Sequence, residues 1–272
     1  MKNIIVTGAY GGMGNATVKL LAKNGYRVFA LDKVVFEAEE NVFPVAVDVC
    51  DLSSVMRAFE TVKKQAKSIF AIVNFAGIYR MDSLVEMSEE RFTGIFDVNV
   101  FGAYRINKTF LPLLEKGGRI IITSSELAPL DPLPFTGIYG ITKTALEKYA
   151  YSLRMELQLL GIKVCVLRPG AVKTKLLGAS TKELDEFCSR TKLYSYNAEK
   201  FKRIVNKTEA KNVPPEKVAE KAFKAIKSKR PKYVYNLNRN PLLRLLNFLP
   251  KRTQNYAIRK ILKSKDKNKN AN

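Results

Sequence analysis

Lys2-Asn3-Ile4-Ile5-Val6-Thr7-Gly8-Ala9-Tyr10-Gly11-Gly12-Met13-Gly14 is the stretch whose reading decides the fold. Residues 2–7 form a short run rich in β-branched side chains, which predicts a buried strand. The glycines that follow have the spacing T-G-x-x-x-G-x-G. A helical pattern begins at once, over residues 14–24, with Val18, Leu21 and Ala22 on one face. Gly25 closes it, as glycine does just past a helix end. A glycine-rich turn between strand and helix lets the backbone approach a pyrophosphate, which the helix N-terminus attracts through its free N–H groups and its dipole. Gly8, Tyr10, Gly12, Met13 and Gly14 are therefore the first candidate nucleotide contacts.

Working outward, further strands are predicted at residues 27–32, 42–47, 69–75, 119–123 and 163–168, with helical stretches between most of them. Residues 232–235 are expected to add an edge strand. Near-continuous apolar strands separated by helices imply a parallel sheet covered on both faces. Right-handed crossovers make that sheet a doubly wound α/β (Rossmann) fold. A chain of 272 residues, 46% of them apolar, can bury one large core. The expected organisation is one domain over residues 1–240, with a lid at about 175–212, and a helical extension at 241–272. No apolar run reaches the ~18 residues of a spanning helix. The start of the chain has neither a long apolar stretch nor a small-residue cleavage site, which predicts a cytoplasmic location.

Composition removes several chemistries. There is no histidine, so a Ser-His-Asp mechanism, a histidine base and the usual zinc sites are excluded, and no metal is expected. Cys50, Cys165 and Cys188 have no paired spacing; Cys50 and Cys165 lie in or beside apolar runs and read as small core residues. The second strand ends in Leu31-Asp32-Lys33. A carboxylate about 20 positions past the glycines can hold the ribose hydroxyls of NAD and would repel the 2′-phosphate of NADP. Lys33 is adjacent, but neither Tyr10 nor Gly11 adds a second cation. The reading favours NAD over NADP.

Six further segments follow in order: Val47-Asp48-Val49, Asn74-Phe75-Ala76-Gly77, Val98-Asn99-Val100, Ile122-Thr123-Ser124-Ser125, Tyr139-Gly140-Ile141-Thr142-Lys143, and Arg168-Pro169-Gly170 with Thr174. Together with the glycine turn they resemble the short-chain dehydrogenases/reductases over about residues 3–235. The resemblance implies that Asp48 and Val49 contact the adenine. It implies that Asn74, Ala76 and Gly77 belong to the N-N-A-G motif, with Phe75 replacing its second asparagine. It places Pro169, Gly170, Val172 and Thr174 at the nicotinamide end, Ser125 on the substrate oxygen, and Asn99 beside a water near Lys143.

The chemistry of Tyr139 and Lys143 agrees. Four residues apart on a helix, they share one face. A phenol of pKa about 10 is a poor base at neutral pH. A neighbouring ammonium and the positive charge of an oxidised nicotinamide favour the phenolate, which can take an alcohol proton as hydride leaves. One departure stands out: Ser125 to Tyr139 is 14 positions, longer than the usual family spacing. Ser124 would be farther still, so Ser125 is the choice. The proline-rich residues 129–135 are expected to shape the substrate pocket. Glu126 has no role assigned to it.

The net charge of +22 is uneven. Residues 1–188 hold 23 Lys and Arg against 20 Asp and Glu, whereas residues 189–272 hold 24 against 5. Within this part, Leu176, Leu177, Phe187, Leu193, Tyr194 and Tyr196 either line an apolar cavity or pack as ordinary helix. Pro214-Pro215-Glu216 starts a helix running to Ile226. Beyond it, residues 241–250 hold Leu242, Leu243, Leu245, Leu246, Phe248 and Leu249 between two prolines, and a second amphipathic stretch carries Tyr256, Ile258, Ile261 and Leu262. Residues 263–269 form a cationic tail. This ending resembles family members that act on steroids, retinoids and other lipids. It can cap the pocket, rest peripherally on an anionic membrane, or do both; a nucleic-acid reading lacks a recognition motif.

The expected function is NAD-dependent interconversion of a secondary alcohol and a ketone on a hydrophobic substrate: a hydroxysteroid, retinoid or similar lipid alcohol. A non-catalytic NAD-binding sensor is the alternative. A sugar-nucleotide epimerase of the longer related class is disfavoured by the glycine spacing and the short segment after Gly170. The resemblance also implies a homodimer or homotetramer through helices such as the one bearing Tyr139.

Overall fold

The computed structural model describes residues 1–208 and 212–263. Strands and helices alternate as β1 (Asn3–Thr7), α1 (Gly12–Lys23), β2 (Arg27–Asp32), β3 (Val42–Ala46), α2 (Leu52–Gln65), β4 (Ile69–Asn74), α3 (Glu89–Phe96) and α4 (Gly102–Phe110). They continue as β5 (Leu114–Thr123), α5 (Gly137–Leu157), β6 (Lys163–Pro169), α6 (Lys175–Arg190), α7 (Ser195–Thr208), α8 (Glu216–Lys227), β7 (Val234–Leu237), α9 (Pro241–Phe248) and α10 (Lys251–Leu262). The seven strands form one parallel sheet in the order β3-β2-β1-β4-β5-β6-β7.

Alternation along each strand divides the core in two. Ile5, Phe29, Ile72, Ile120 and Ile122 pack with Val55, Ile106, Phe110 and Leu146 of α2, α4 and α5. Ile4, Val6, Val28, Val73 and Cys165 point the other way, onto Val18 and Leu21 of α1 and Val218 and Ile226 of α8. All six residues of β4 are buried because helices cover both faces. The strand order reverses between β1 and β4, which opens a crevice at their C-terminal ends.

The predicted elements are present with shifted ends. The strand expected at 119–123 starts at Leu114, where the ladder slips between Ile69 and Ala71 and Gly117 turns with φ +84°. The edge strand lies two residues later than expected, at Val234–Leu237. Cys165 is a core residue, as read from the sequence, while Cys50 and Cys188 are half-buried. Arg119 is a buried cation inside the sheet. It donates to the carbonyls of Ala225 and Ser228 at the end of α8 and lies 4.4 Å over the Phe70 ring.

In α6 and α7, the part expected to form a lid, Leu184, Phe187, Ala198 and Phe201 pack with Met81 and Leu262. The Phe187 ring sits 4.7 Å from Phe135, so Phe187 and Tyr194 belong to a small satellite core, and Leu193 and Tyr196 are exposed. Arg91 and Arg190 pair with buried Asp82, and Arg80 and Arg91 with Glu183, which ties α6 to residues 80–91. The side chains of Leu176 and Leu177, and the tail over residues 264–269, lie outside the described residues.

Over its described residues, the C-terminal extension forms the two helices α9 and α10. Leu243 and Leu246 of α9 and Ile258 of α10 meet Leu127, Leu130, Pro132 and Leu133 across a narrow crevice. Asp131 fastens it: its N–H donates to Asn247, and its carboxylate receives Gln254 and Lys251. Among the described residues, no helix is long and apolar enough to cross a membrane.

Candidate active site

The glycine turn is built by close approach. Gly8 has φ +63°, and a Cβ there would lie 2.7 Å from the Ala76 nitrogen. A Cβ on Gly14 would lie 2.0 Å from the Gly8 oxygen, and one on Gly12 would lie 2.5 Å from Cγ2 of Thr174. These contacts gather the glycine turn, Ala76 and Thr174 around the mouth of the crevice. Gly11, the residue before helix α1, supplies no side-chain cap, so the first amides of the helix are open to an anion. Asp32 closes the rim: its carboxylate accepts the N–H of Tyr10 at 2.9 Å and that of Lys33 at 2.8 Å. An open helix N-terminus with a carboxylate beside it is a donor and acceptor set that fits a dinucleotide.

Asp48 and Val49, expected on the adenine side, are fixed by their neighbours. Burial works against the Asp48 carboxylate, but Lys33 at 2.9 Å and the Cys50 N–H outweigh it and hold its pKa below the ordinary range. Val49 is buried against Gly102, and its carbonyl accepts Arg105. Asn74 is tied into the sheet. Its amide donates to Asn107 at 2.9 Å and to the Ile121 carbonyl at 3.3 Å, so it braces β4 against α4 and β5.

At the end expected to be catalytic, four residues converge from three parts of the chain: the π turn, the segment after β5 and helix α5. The chain between α3 and α4 winds as a π turn over Asp97–Phe101, which sets Asn99 inward. Its Oδ1 accepts the Ile78 N–H at 2.8 Å, while its Nδ2 donates to the Ile78 carbonyl and to Thr142. A Cβ on Gly77 would lie 3.2 Å from Asn99 Oδ1 and 3.6 Å from Lys143 Nζ, so the three meet at one point. Lys143 Nζ donates to the Thr123 carbonyl at 3.1 Å and lies 5.6 Å from the Tyr139 ring centre. Burial lowers the Lys143 pKa to about 8. Burial also raises the Tyr139 phenol to about 12, and a hydrogen bond with Ser125 pulls it the other way.

The two serines separate cleanly. Ser124 donates to the Lys143 carbonyl and serves the backbone of α5, whereas Ser125 shares a hydrogen bond with the Tyr139 hydroxyl. Tyr79 packs its ring 4.7 Å from Tyr139, and Ile78 and Leu127 make the surroundings apolar. The Pro169 carbonyl accepts the Glu126 N–H, and Val172 is buried beneath the loop that leads to Thr174.

The structure places Glu126. Its side chain is buried, and its Oε2 accepts the N–H of Asn240, the cap of α9, at 2.6 Å. Burial raises its pKa, while the Asn240 contact and Arg239 oppose that. Gly170 is pressed against Asn238 and Glu126; a Cβ there would lie 2.0 Å from the Asn238 oxygen. Glu126 thus joins Ser125, the Pro169-Gly170 turn and the start of α9. Adjacency to Ser125 was the sequence signal for it; Asn240 and Tyr79 carried none.

Comparison with known proteins agrees with this geometry. The sequence profile of the family described as short chain dehydrogenase matches residues 2–185. A 3-ketodihydrosphingosine reductase of Bacteroides thetaiotaomicron is 27% identical over 262 residues, covering 94% of this chain and 96% of that protein. Estradiol 17-beta-dehydrogenase 2 of Mus musculus is 35% identical over 192 residues, covering 65% of this chain and 50% of the mouse protein, so the match spans half of that relative. A short chain dehydrogenase family protein of Francisella tularensis superposes with a TM-score of 0.73 at 22% identity, over 87% of this chain and 97% of the other.

Proposed function

This chain belongs to the short-chain dehydrogenase family, and from that premise we propose that it interconverts a secondary alcohol and a ketone on a hydrophobic substrate, with NAD as cofactor. The observation that carries the reading is the meeting of Asn99, Ser125, Tyr139 and Lys143 at the crevice mouth. A nicotinamide dinucleotide supplies the hydride acceptor or donor. Gly8, Gly12 and Gly14 would admit its pyrophosphate to the start of α1, and Asp32 would hold the adenine ribose. Asp48 and Val49 would flank the adenine. Ala76, Gly77, Pro169, Gly170 and Thr174 would line the nicotinamide end.

The protein's own part is proton transfer and orientation. Ser125 holds the substrate oxygen against the Tyr139 hydroxyl. Tyr139 takes the alcohol proton in oxidation and returns it in reduction. A proton on Lys143 favours the phenolate, and burial strengthens that coupling because little water screens it. Asn99 fixes the Ile78 backbone and Thr142, which keeps the floor of the site rigid.

The apolar neighbours of Tyr139 support a lipid-like substrate, as do the names of the two relatives above. Hydroxysteroids, retinoids and similar lipid alcohols are the class to test. NAD is favoured over NADP because Asp32 would face the 2′-phosphate, and Lys33, the adjacent cation, is drawn to Asp48. Initial rates on a panel of steroid, retinoid and aliphatic secondary alcohols, with NAD and NADP in parallel, test both statements. The expected result is turnover of an apolar alcohol with a higher kcat/KM for NAD. A clear NADP preference overturns the role of Asp32. Dinucleotide binding without turnover of any substrate favours the sensor alternative.

A homo-oligomer fits the apolar side chains left exposed along the Asn99 segment, α4 and α5, among them Phe101, Tyr104, Tyr151 and Met155. Light scattering is expected to give a multiple of 30.7 kDa, and Tyr151→Glu with Met155→Glu to reduce it. A monomer in the unmodified protein at micromolar concentration removes this assignment.

A further inference from the structure

Helix α9 has two apolar faces, and the fold uses one. Leu243 and Leu246 turn to the crevice beside Leu127 and Leu133. On the opposite side Leu242 is 63% exposed, Leu245 64% and Phe248 79%. Those three lie within one arc of the helix, since three residues advance it by 300°. Amphipathic helices that finish a core leave polar residues outward; this one leaves two leucines and a phenylalanine.

The neighbouring charges are one-sided. From Arg239 to Lys263 there are seven Lys and Arg and no Asp or Glu. Helix α10 turns Gln254, Ile258 and Leu262 inward, and its outer side carries Arg252, Tyr256, Arg259 and Lys260. Lys251 pairs with Asp131, but Arg244, Arg252, Arg259 and Lys260 form no ion pair with a described carboxylate. Two residues, Leu249 and Pro250, separate the helices, and the Asp131 contacts hold both to the body. An exposed apolar face beside unpaired cations matches a lipid leaflet: acyl chains take the leucines and phenylalanine, and anionic headgroups take the cations. A nucleic acid would use the cations but has no need of an aliphatic face.

We propose that the outer face of α9, flanked by the cations of α10, docks this protein peripherally on an anionic membrane. The proposal goes beyond the oxidoreductase reading and does not depend on it, since vesicle binding needs no turnover.

The full chain contains no tryptophan, which permits a direct test. Phe248→Trp supplies a single reporter on α9, and Leu159→Trp supplies one on an exposed apolar site, 84% exposed, at the far end of α5. Vesicles of phosphatidylcholine alone and of phosphatidylcholine with phosphatidylserine are added to each. At position 248 the expected result is a blue shift and quenching by brominated acyl chains, on the anionic vesicles and diminishing as salt rises. At position 159 no change is expected.

Co-sedimentation then separates the two contributions. Arg252→Glu with Arg259→Glu is expected to lower affinity for anionic vesicles by more than about tenfold, since each cation contributes about fivefold. Leu245→Ser with Phe248→Ser is expected to lower it as well, with melting temperature confirming that each variant is folded. Equal binding to neutral and anionic vesicles, no binding, or an unshifted reporter at 248 overturns the proposal. So does tighter binding to duplex DNA than to anionic vesicles with the α9 variant unaffected, which would assign the cations to nucleic acid.

Discussion

Tyr139→Phe is expected to lower turnover by about 10²–10⁴-fold, the usual contribution of general acid–base catalysis. The ring itself is structural: it is buried against Tyr79 and belongs to the cluster with Ile95 and Ile138. Phenylalanine keeps that packing, so stability and dinucleotide affinity should hardly change. What disappears is the hydroxyl beside Ser125 that, in the proposed mechanism, faces the substrate oxygen. Neither Ser125 nor Lys143 can replace it. Ser125 has the high pKa of an aliphatic alcohol, and Lys143 Nζ is turned to the Thr123 carbonyl at 3.1 Å. Paired measurements of kcat and of NAD affinity by protein fluorescence decide the matter. Near-full activity in the variant would remove Tyr139 from the mechanism; loss of both activity and NAD binding would show a folding defect instead.

Gly14→Ala is expected to abolish dinucleotide binding and to destabilise the fold by at least about 1–3 kcal/mol, the range for forcing atoms into packed space. The new Cβ would lie 2.0 Å from the Gly8 oxygen and 2.8 Å from its carbonyl carbon, both backbone atoms that cannot swing aside. Gly8 cannot retreat, because it is itself pressed against Ala76 and holds φ +63°. Relief requires the start of α1 to move away from β1, which dismantles the cradle of amides. Gly25→Ala is the contrasting control. Gly25 also has positive φ, at +76°, but a Cβ there meets nothing within 4 Å, so the cost is the left-handed conformation alone, about 1–2 kcal/mol. It should leave NAD binding intact. Thermal unfolding and NAD titration of both variants make the comparison, and equal behaviour of the two would refute the steric account.

Sequence by itself determined the sheet, because the information is local and repeated. Buried parallel strands must be apolar on both faces, as residues 69–73 are, and a glycine turn followed by a helix needs a few particular residues in a row. It also determined the pairing of Tyr139 with Lys143, since four residues along a helix is a fixed geometry. The C-terminal helices were legible for the same reason, through their apolar spacing and proline boundaries. Contacts that depend on distant parts of the chain were not. Spacing pointed to Ser125 over Ser124, but only the tertiary structure showed that Ser124 turns to the Lys143 carbonyl, because one extended residue reverses a side chain. It gave Asn74 a bracing contact with Asn107, 33 residues away. It placed Glu126 against Asn240, 114 residues on, and it sorted the leucines of α9 into one set that the crevice covers and one set left to the outside. Amphipathicity predicts that a helix has faces; which face is buried follows from what the rest of the fold sets against it.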